Sequence, residues 1–268
     1  MTGAMLRTEA LCKRFGAVTA LEEVEIAIPE RAITVIMGGS GSGKTTLLRL
    51  LSGLERPSCG AIYFEGRDLA AIPRRELYRL RMKMGMVFQY SALLNSLTVE
   101  ENIAFPLREH TRLDPRVIHT IVTMKLEQVG LRGFGHLLPS ELSGGMAKRV
   151  AFARALAMDP KLVFFDEPTS GLDPISAGVI TELIRRLTRL THMTSVVVTH
   201  DVHAGLAIAD HVLLLWQGRV IASGPPEAIR DSGDARIRQF LEGRPDGPIP
   251  FSRSDTDYLD ELLAEDGA

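Results

Sequence analysis

Apolar and polar positions alternate over the first thirty residues, with Leu6 and Leu11, then Leu21, Val24, Ile26 and Ile28, at strand spacing. A period of two predicts strands with one buried face, here two antiparallel strands. Ala32 to Met37 is different: an unbroken apolar, β-branched run that suits a strand buried on both faces. Glycines interrupt it, and Lys44 to Leu51 reads as the first two turns of a helix. Gly60 to Asp68 is strand-like. Pro73 opens a helix bearing Arg74, Arg75, Arg79, Arg81 and Lys83, and Gly85 to Phe88 is a short strand ending at Gln89.

From Thr98 to about Ala157 the pattern is helical. Thr98 with Glu101 three residues on has the form of a capping box. Pro115 opens a second helix that runs to Gln128 and stops at Gly130. Pro139 and a Ser143-Gly144-Gly145 turn precede a third, Met146 to Met158. After Pro160 strands and helices alternate: strand Leu162–Phe165, helix Pro174–Leu190, strand Thr194–Val198, a helix from about Val202, then strands around Val212–Trp216 and Arg219–Ala222. Apolar strands alternating with helices predict an α/β fold with a largely parallel sheet covered on both faces. An antiparallel β-subdomain precedes it, and a helical subdomain at about 90–158 is inserted in it. One domain would then span 1–243. Beyond Gly243 a Pro/Gly linker leads to an acidic segment with Tyr258, Leu259, Leu262 and Leu263 on one helical face. This tail, 244–268, reads equally as a helix for a protein groove or as a disordered terminus.

Composition narrows the setting. The 268 residues are 45 % hydrophobic, enough for a real core, and the net charge of −2 gives no global attraction to nucleic acid or anionic lipid. The basic helix after Pro73 could contact either, but a solvated face is the simpler reading, and no aromatics interleave its charges. Cys12 and Cys59 have no metal-ligand spacing and suggest a reducing compartment. The first ten residues have no apolar signal core, and aliphatic runs such as Val212 to Trp216 fall far short of the ~20 residues a membrane span needs. The expectation is a soluble cytoplasmic chain that, if it serves a membrane, does so peripherally.

Three segments carry chemistry. Gly38-Gly39-Ser40-Gly41-Ser42-Gly43-Lys44-Thr45 fills every fixed position of G-x-x-x-x-G-K-[ST]. Such a loop turns its backbone N–H groups onto one anion, Lys44 reaches the outer phosphates, and the Thr45 hydroxyl can ligate Mg²⁺. Leu162 to Glu167 is a buried strand that delivers Asp166 and Glu167 at its C-terminal end, where ligands bind in open parallel sheets. Asp166 can hold Mg²⁺ and Glu167 can polarise an attacking water. Ser143-Gly144-Gly145 before a helix is either an ordinary N-cap or a second anion site, the latter suggesting a γ-phosphate held between two subunits. Phe15 beside Gly16 either stacks on a flat base or closes a hairpin core. Gln89, His200 and Asp173, taken singly, read as a turn residue, an N-cap neighbour and an N-cap.

Taken together, the phosphate loop, Gln89, LSGGM at Leu142–Met146, FFDE at Phe164–Glu167, SGLD at Ser170–Asp173 and Thr199-His200-Asp201 resemble the nucleotide-binding subunits of ABC transporters over Leu6 to about Gly243. The resemblance implies a P-loop NTPase (RecA-like) core that binds ATP and Mg²⁺. Gly39, Ser40, Gly41, Ser42, Gly43, Lys44, Thr45 and Thr46 would hold the phosphates and Phe15 would stack on adenine. Glu167, His200 and Lys44 would be catalytic, and Thr45, Gln89 and Asp166 would attend the metal. Ser143, Gly144 and Gly145 would complete the site of a second copy, and Asp173 would cross the interface. Met146 departs from the usual Gln. LSGGM followed by Ala147-Lys148-Arg149, with Leu172 to Ser176 and Gly247 to Phe251, is similar to the ATPases of MCE-type lipid transporters, which maintain lipid asymmetry. That implies a permease dimer, an MCE-domain protein, a small STAS-domain protein, glycerophospholipid as substrate, no nucleic acid, and the cytoplasmic face of the inner membrane. A small-solute importer would carry nearly the same motifs. A DNA- or ribosome-directed relative would need fused cassettes or a coiled coil, and neither pattern is present.

Overall fold

The computed structural model describes residues 3–249. In chain order it contains β1 (Ala4–Phe15), β2 (Val18–Val24), β3 (Ala27–Pro29), β4 (Ile33–Gly38), α1 (Lys44–Leu51), β5 (Cys59–Phe64), β6 (Arg67–Asp68), α2 (Arg74–Arg81) and β7 (Met84–Val87). Three helices follow: α3 (Val99–His110), α4 (Pro115–Gln128) and α5 (Gly144–Ala155). The second half holds β8 (Leu162–Asp166), α6 (Pro174–Thr191), β9 (Thr194–Val198), α7 (Val202–Ile208), β10 (His211–Trp216), β11 (Arg219–Gly224), α8 (Pro226–Arg230) and α9 (Ala235–Glu242).

A six-stranded sheet in the order β11-β10-β4-β9-β8-β7 forms the centre; all its pairings are parallel except β10–β11. Period-two alternation divides its side chains between two cores. Ile33, Val35, Met37, Val163 and Phe165 pack with α3 to α6, while Ile36, Leu162, Phe164 and Leu213 pack with α1 and the antiparallel sheet. A sheet apolar on both faces must be covered on both, which is why its strands read as unbroken hydrophobic runs.

The antiparallel sheet runs β2-β1-β5-β6, with β3 also on β1, so three strands rather than two precede the phosphate loop. The cysteine expectation is corrected here. Cys12 and Cys59 face each other across β1 and β5, Cα atoms 5.0 Å apart, and are joined as a disulfide. The pairing follows from strand register across 47 residues of sequence, so the cysteine pair no longer points to a reducing compartment.

Three more expectations change in detail. Gly144 and Gly145 form the first turn of α5 rather than a turn ahead of it, because Ser143 caps that helix through Met146 N–H. The helix also stops at Ala155, before an Asp159 at φ 47° and Pro160. The segment expected as a linker folds back: Gln239 on α9 accepts from Ile249 N (2.7 Å) and donates to the carbonyls of Arg244 (3.3 Å) and Ile249 (3.0 Å). The amphipathic pattern at Tyr258–Leu263 lies outside the described residues, as do Pro250 and Phe251.

Candidate functional site

Strand register places the chemistry at one level. Ile36 of β4 and Asp166 of β8 both pair with Val198 of β9, and Val87 of β7 pairs with Phe165. The phosphate loop, Gln89, Asp166-Glu167 and Thr199-His200 therefore all leave the C-terminal end of the central sheet together, where ligands bind in such sheets.

The loop is built on glycine where the backbone requires it. Gly41 and Gly43 lie at φ 73° and 101°, and a Cβ on Gly43 would sit 2.7 Å from Ala20 O on β2. Gly43 caps α1 with no side-chain hydrogen bond, so the first-turn N–H groups have no side-chain acceptor. Ser42 Oγ is buried with no partner. Lys44 Nζ bridges its own loop, donating to the carbonyls of Gly38 (2.8 Å) and Gly39 (2.9 Å). Burial holds its pKa below the ordinary lysine value, against the opposing pull of Glu167 and Asp166. Uncapped amides, an orphaned buried hydroxyl and a half-buried ammonium fit an anionic polyphosphate.

The two carboxylates sit in different surroundings. Burial, followed by the charge of Glu167, pushes Asp166 above the usual aspartate range, with Arg49, Lys148 and Lys44 opposing. A carboxylate penalised in this way fits a divalent cation, and Thr45 and Gln89 add the oxygen donors that Mg²⁺ prefers. Among the described residues no cluster of three His, Cys, Asp or Glu is present. Glu167 adopts φ 46°, a left-handed conformation unusual for a residue with a side chain. Its Oε2 accepts from His200 N (3.4 Å) and lies 2.9 Å from His200 Nδ1. Gln89 Nε2 donates to Ser170 Oγ at 3.4 Å.

These features and the sequence point to one family. A family model described as "ABC transporter" matches residues 21–170, over half of the chain. The chain belongs to the ABC transporter family. It is 47 % identical over 98 % of its length to the intermembrane phospholipid transport system ATP-binding protein MlaF of Haemophilus influenzae, all of which is covered. MlaF of Escherichia coli K12 is 48 % identical, with 90 % of each chain covered. A probable ribonucleotide transport ATP-binding protein of Mycobacterium leprae is 38 % identical over 99 % of this chain and 76 % of its own. The dimeric ATP-binding cassette MJ0796 in a post-hydrolysis state with ADP and Pi matches with TM-score 0.76 and 32 % identity, covering 83 % of this chain and 99 % of that one. Like its family, the chain is an ATP-binding, ATP-hydrolysing α/β protein with a P-loop NTPase core. Among the described residues no helix is long and apolar enough to cross a membrane.

Phe15 is 51 % exposed and closes no core; Lys13 Nζ, fixed by Glu55 (2.7 Å), lies 4.8 Å from the centre of its ring. Asp173 caps α6, accepting from Ile175 N and Ser176 N at 3.0 Å; the Ser176 hydroxyl first, then these backbone bonds, hold its carboxyl below the usual range. Ser143 caps α5. Gly144 adjoins Leu172 and Gly145 adjoins Ser176, so the LSGGM and SGLD segments lie side by side. Among the described residues, no hydrogen bond or ion pair ties either segment to the phosphate loop. Met146 packs against the apolar core instead of facing a polar partner.

Sequence reasoning gave no sign that Lys148 is buried against the site. It is 5 % exposed on α5 and donates to the carbonyls of Gln89 and Glu167. A lysine among alanine, arginine and valine carries no signal of burial, because its acceptors come from segments 59 and 19 residues away.

Proposed function

We propose that the chain is the ATP-hydrolysing subunit of a transporter that moves glycerophospholipid between inner and outer membranes. The observation that carries this reading is the 47–48 % identity to MlaF proteins over 90–98 % of the chain. Two copies would assemble head to tail at the cytoplasmic face of the inner membrane, beneath a permease dimer, with an MCE-domain protein and a small STAS-domain protein. An apolar groove of 510 Å³ between α2, β7 and α3, lined by Tyr78, Met82, Met84, Met86, Phe88 and Phe105, supports a docked permease segment.

In this reading Phe15 stacks on the adenine, and Gly39 to Thr46 present N–H groups, hydroxyls and the Lys44 ammonium to the phosphates. Thr45, Asp166 and Gln89 would hold Mg²⁺, which when bound neutralises charge developing on the phosphate oxygens. Glu167 accepts the proton of the attacking water, and His200, already against its carboxylate, holds it in place and contacts the γ-phosphate. Ser143, Gly144 and Gly145 of one copy close on the nucleotide of the other, with Asp173 at the boundary. Glu167→Gln should lower the turnover of MgATP about 10²-fold or more while leaving nucleotide binding intact. Unchanged steady-state hydrolysis would refute the base assignment, and purification from native membranes without phospholipid or a permease would refute the substrate.

A further inference from the structure

Helix α5 commits one buried cation, Lys148, and one half-buried cation, Arg154, to backbone rather than to carboxylates. Arg154 donates to the carbonyls of Ser91 (2.9 Å) and Ala92 (2.7 Å), residues at φ 61° and 48°. Lys148, one and two-thirds turns earlier, donates to the carbonyl of Gln89 and to that of Glu167 at 3.5 Å. The same helix therefore grips the loop after β7 at both ends; its Phe152 packs on Phe165 of the catalytic strand, and Lys148 bonds the backbone just past that strand.

The second grip bears on a strained residue. Glu167 sits at φ 46°, a conformation that costs about 1–2 kcal/mol for a residue with a Cβ. Its backbone is over-determined: Glu167 N donates to Val198 O (2.9 Å), and its carbonyl accepts from Ser170 N (3.2 Å) and from Lys148. We propose that Lys148 is a positioning residue for hydrolysis, its ammonium fixing the backbones of Gln89 and Glu167 in one arrangement so that the amide and the carboxylate are presented to the nucleotide together. Because Ser143 caps α5, a shift of the Ser143–Gly145 end of that helix is transmitted through Lys148 to the base. The inference rests on the reading of Glu167 as general base. A lysine 5 % exposed, beside Asp166 and Glu167 but, among the described residues, hydrogen-bonded to carbonyls alone, has its charge and donors committed to this task.

Lys148→Met, Lys148→Gln and Lys148→Arg, made in the full-length chain and purified with its native membrane partners, test the proposal. Steady-state kinetics with MgATP and binding of a fluorescent ATP analogue are measured beside Glu167→Gln. Lys148→Met should lower kcat about tenfold or more with KM changed less than about threefold, since misplacement of a base costs rate rather than binding. Lys148→Arg, which keeps the charge and donors, should recover to within about threefold of the parent. A Lys148→Met kcat within about twofold of the parent, loss of analogue binding in step with kcat, or Lys148→Arg as slow as Lys148→Met would each overturn it. If Lys148→Met does not accumulate as folded protein, Lys148→Gln is held to the same criteria. Persistent turnover in Glu167→Gln would instead overturn the base assignment, which separates the two failures.

Discussion

Gly38 and Gly43 are glycines because the chain itself leaves no room for a side chain: a Cβ would meet Leu215 O at 2.3 Å or Ala20 O at 2.7 Å. Gly144 and Gly145 are different. Neither has positive φ, and a Cβ on either would make ordinary contacts, 3.5 Å to Leu172 and 3.6 Å to Ser176. Among the described residues nothing demands glycine there, and the proposed reading supplies the reason: a nucleotide of a second copy that approaches α5 from outside. Gly145→Ala should leave the unfolding free energy of the isolated chain unchanged within about 0.5 kcal/mol or raise it, since alanine is the better helix residue. ATP hydrolysis should nonetheless fall at least tenfold, if a nucleotide held by a second copy packs against that backbone. Urea unfolding with parallel ATPase assays checks this; a variant less stable in proportion to its lost activity would count against it. Both glycine pairs stand out in the sequence, but only coordinates separate glycines that serve the chain's own packing from those left open to a visitor.

At the scale of elements, the entry to α3 shows what sequence can and cannot reveal. The Thr98–Glu101 capping box was legible because both partners lie within one turn, and the structure forms both bonds. The phosphate loop, β4, β8 and the bounds of α4 were legible for the same reason: local pattern decides them. Asn102, one residue past the box, was not. It is fully buried, donates to the carbonyls of Leu94, Leu97 and Thr98, and accepts from Leu94 N, so it staples the segment after the Gln89 loop to the helix. A buried amide with one acceptor and three carbonyl partners cannot tolerate a carboxylate. Asn102→Asp should cost about 2–4 kcal/mol of stability at neutral pH, more than Asn102→Ala, because it places an acceptor-only charge against three carbonyls. Equal denaturation midpoints for the two variants would contradict this. Cys12–Cys59, Lys148 and the Gln239 hook escaped the sequence for a shared reason: each depends on partners brought by register or packing rather than by a local run.

The whole molecule presents its chemistry unevenly. Phosphate loop, Asp166, Glu167, Gln89 and His200 converge on one sheet edge, while Ser143–Gly145 and Asp173 form a separate pair of helix starts, α5 beside α6. Just past Asp173, Ile175 is 81 % exposed and Val179 51 % exposed on the same face of α6. An apolar strip beside the glycine backbone that opens α5 suits a second copy, and the cassettes of similar structure include two described as dimeric. On the proposed head-to-tail reading, each copy holds half of two sites, and ATP hydrolysis proceeds at a rate set by association. In the isolated chain, activity per molecule should therefore rise with protein concentration and then level off, whereas a self-sufficient monomer would give the same value at every dilution. Glu167→Gln with MgATP should elute at twice the mass seen with ADP, since binding continues while the step that releases the pair is blocked. Ile175→Glu placed on that background should return the protein to the monomer position at equal ATP affinity, because the charge would be buried against the partner with no counter-ion. If the double variant still elutes as a dimer, the α6 face lies outside the contact and the two half-sites must meet by another geometry.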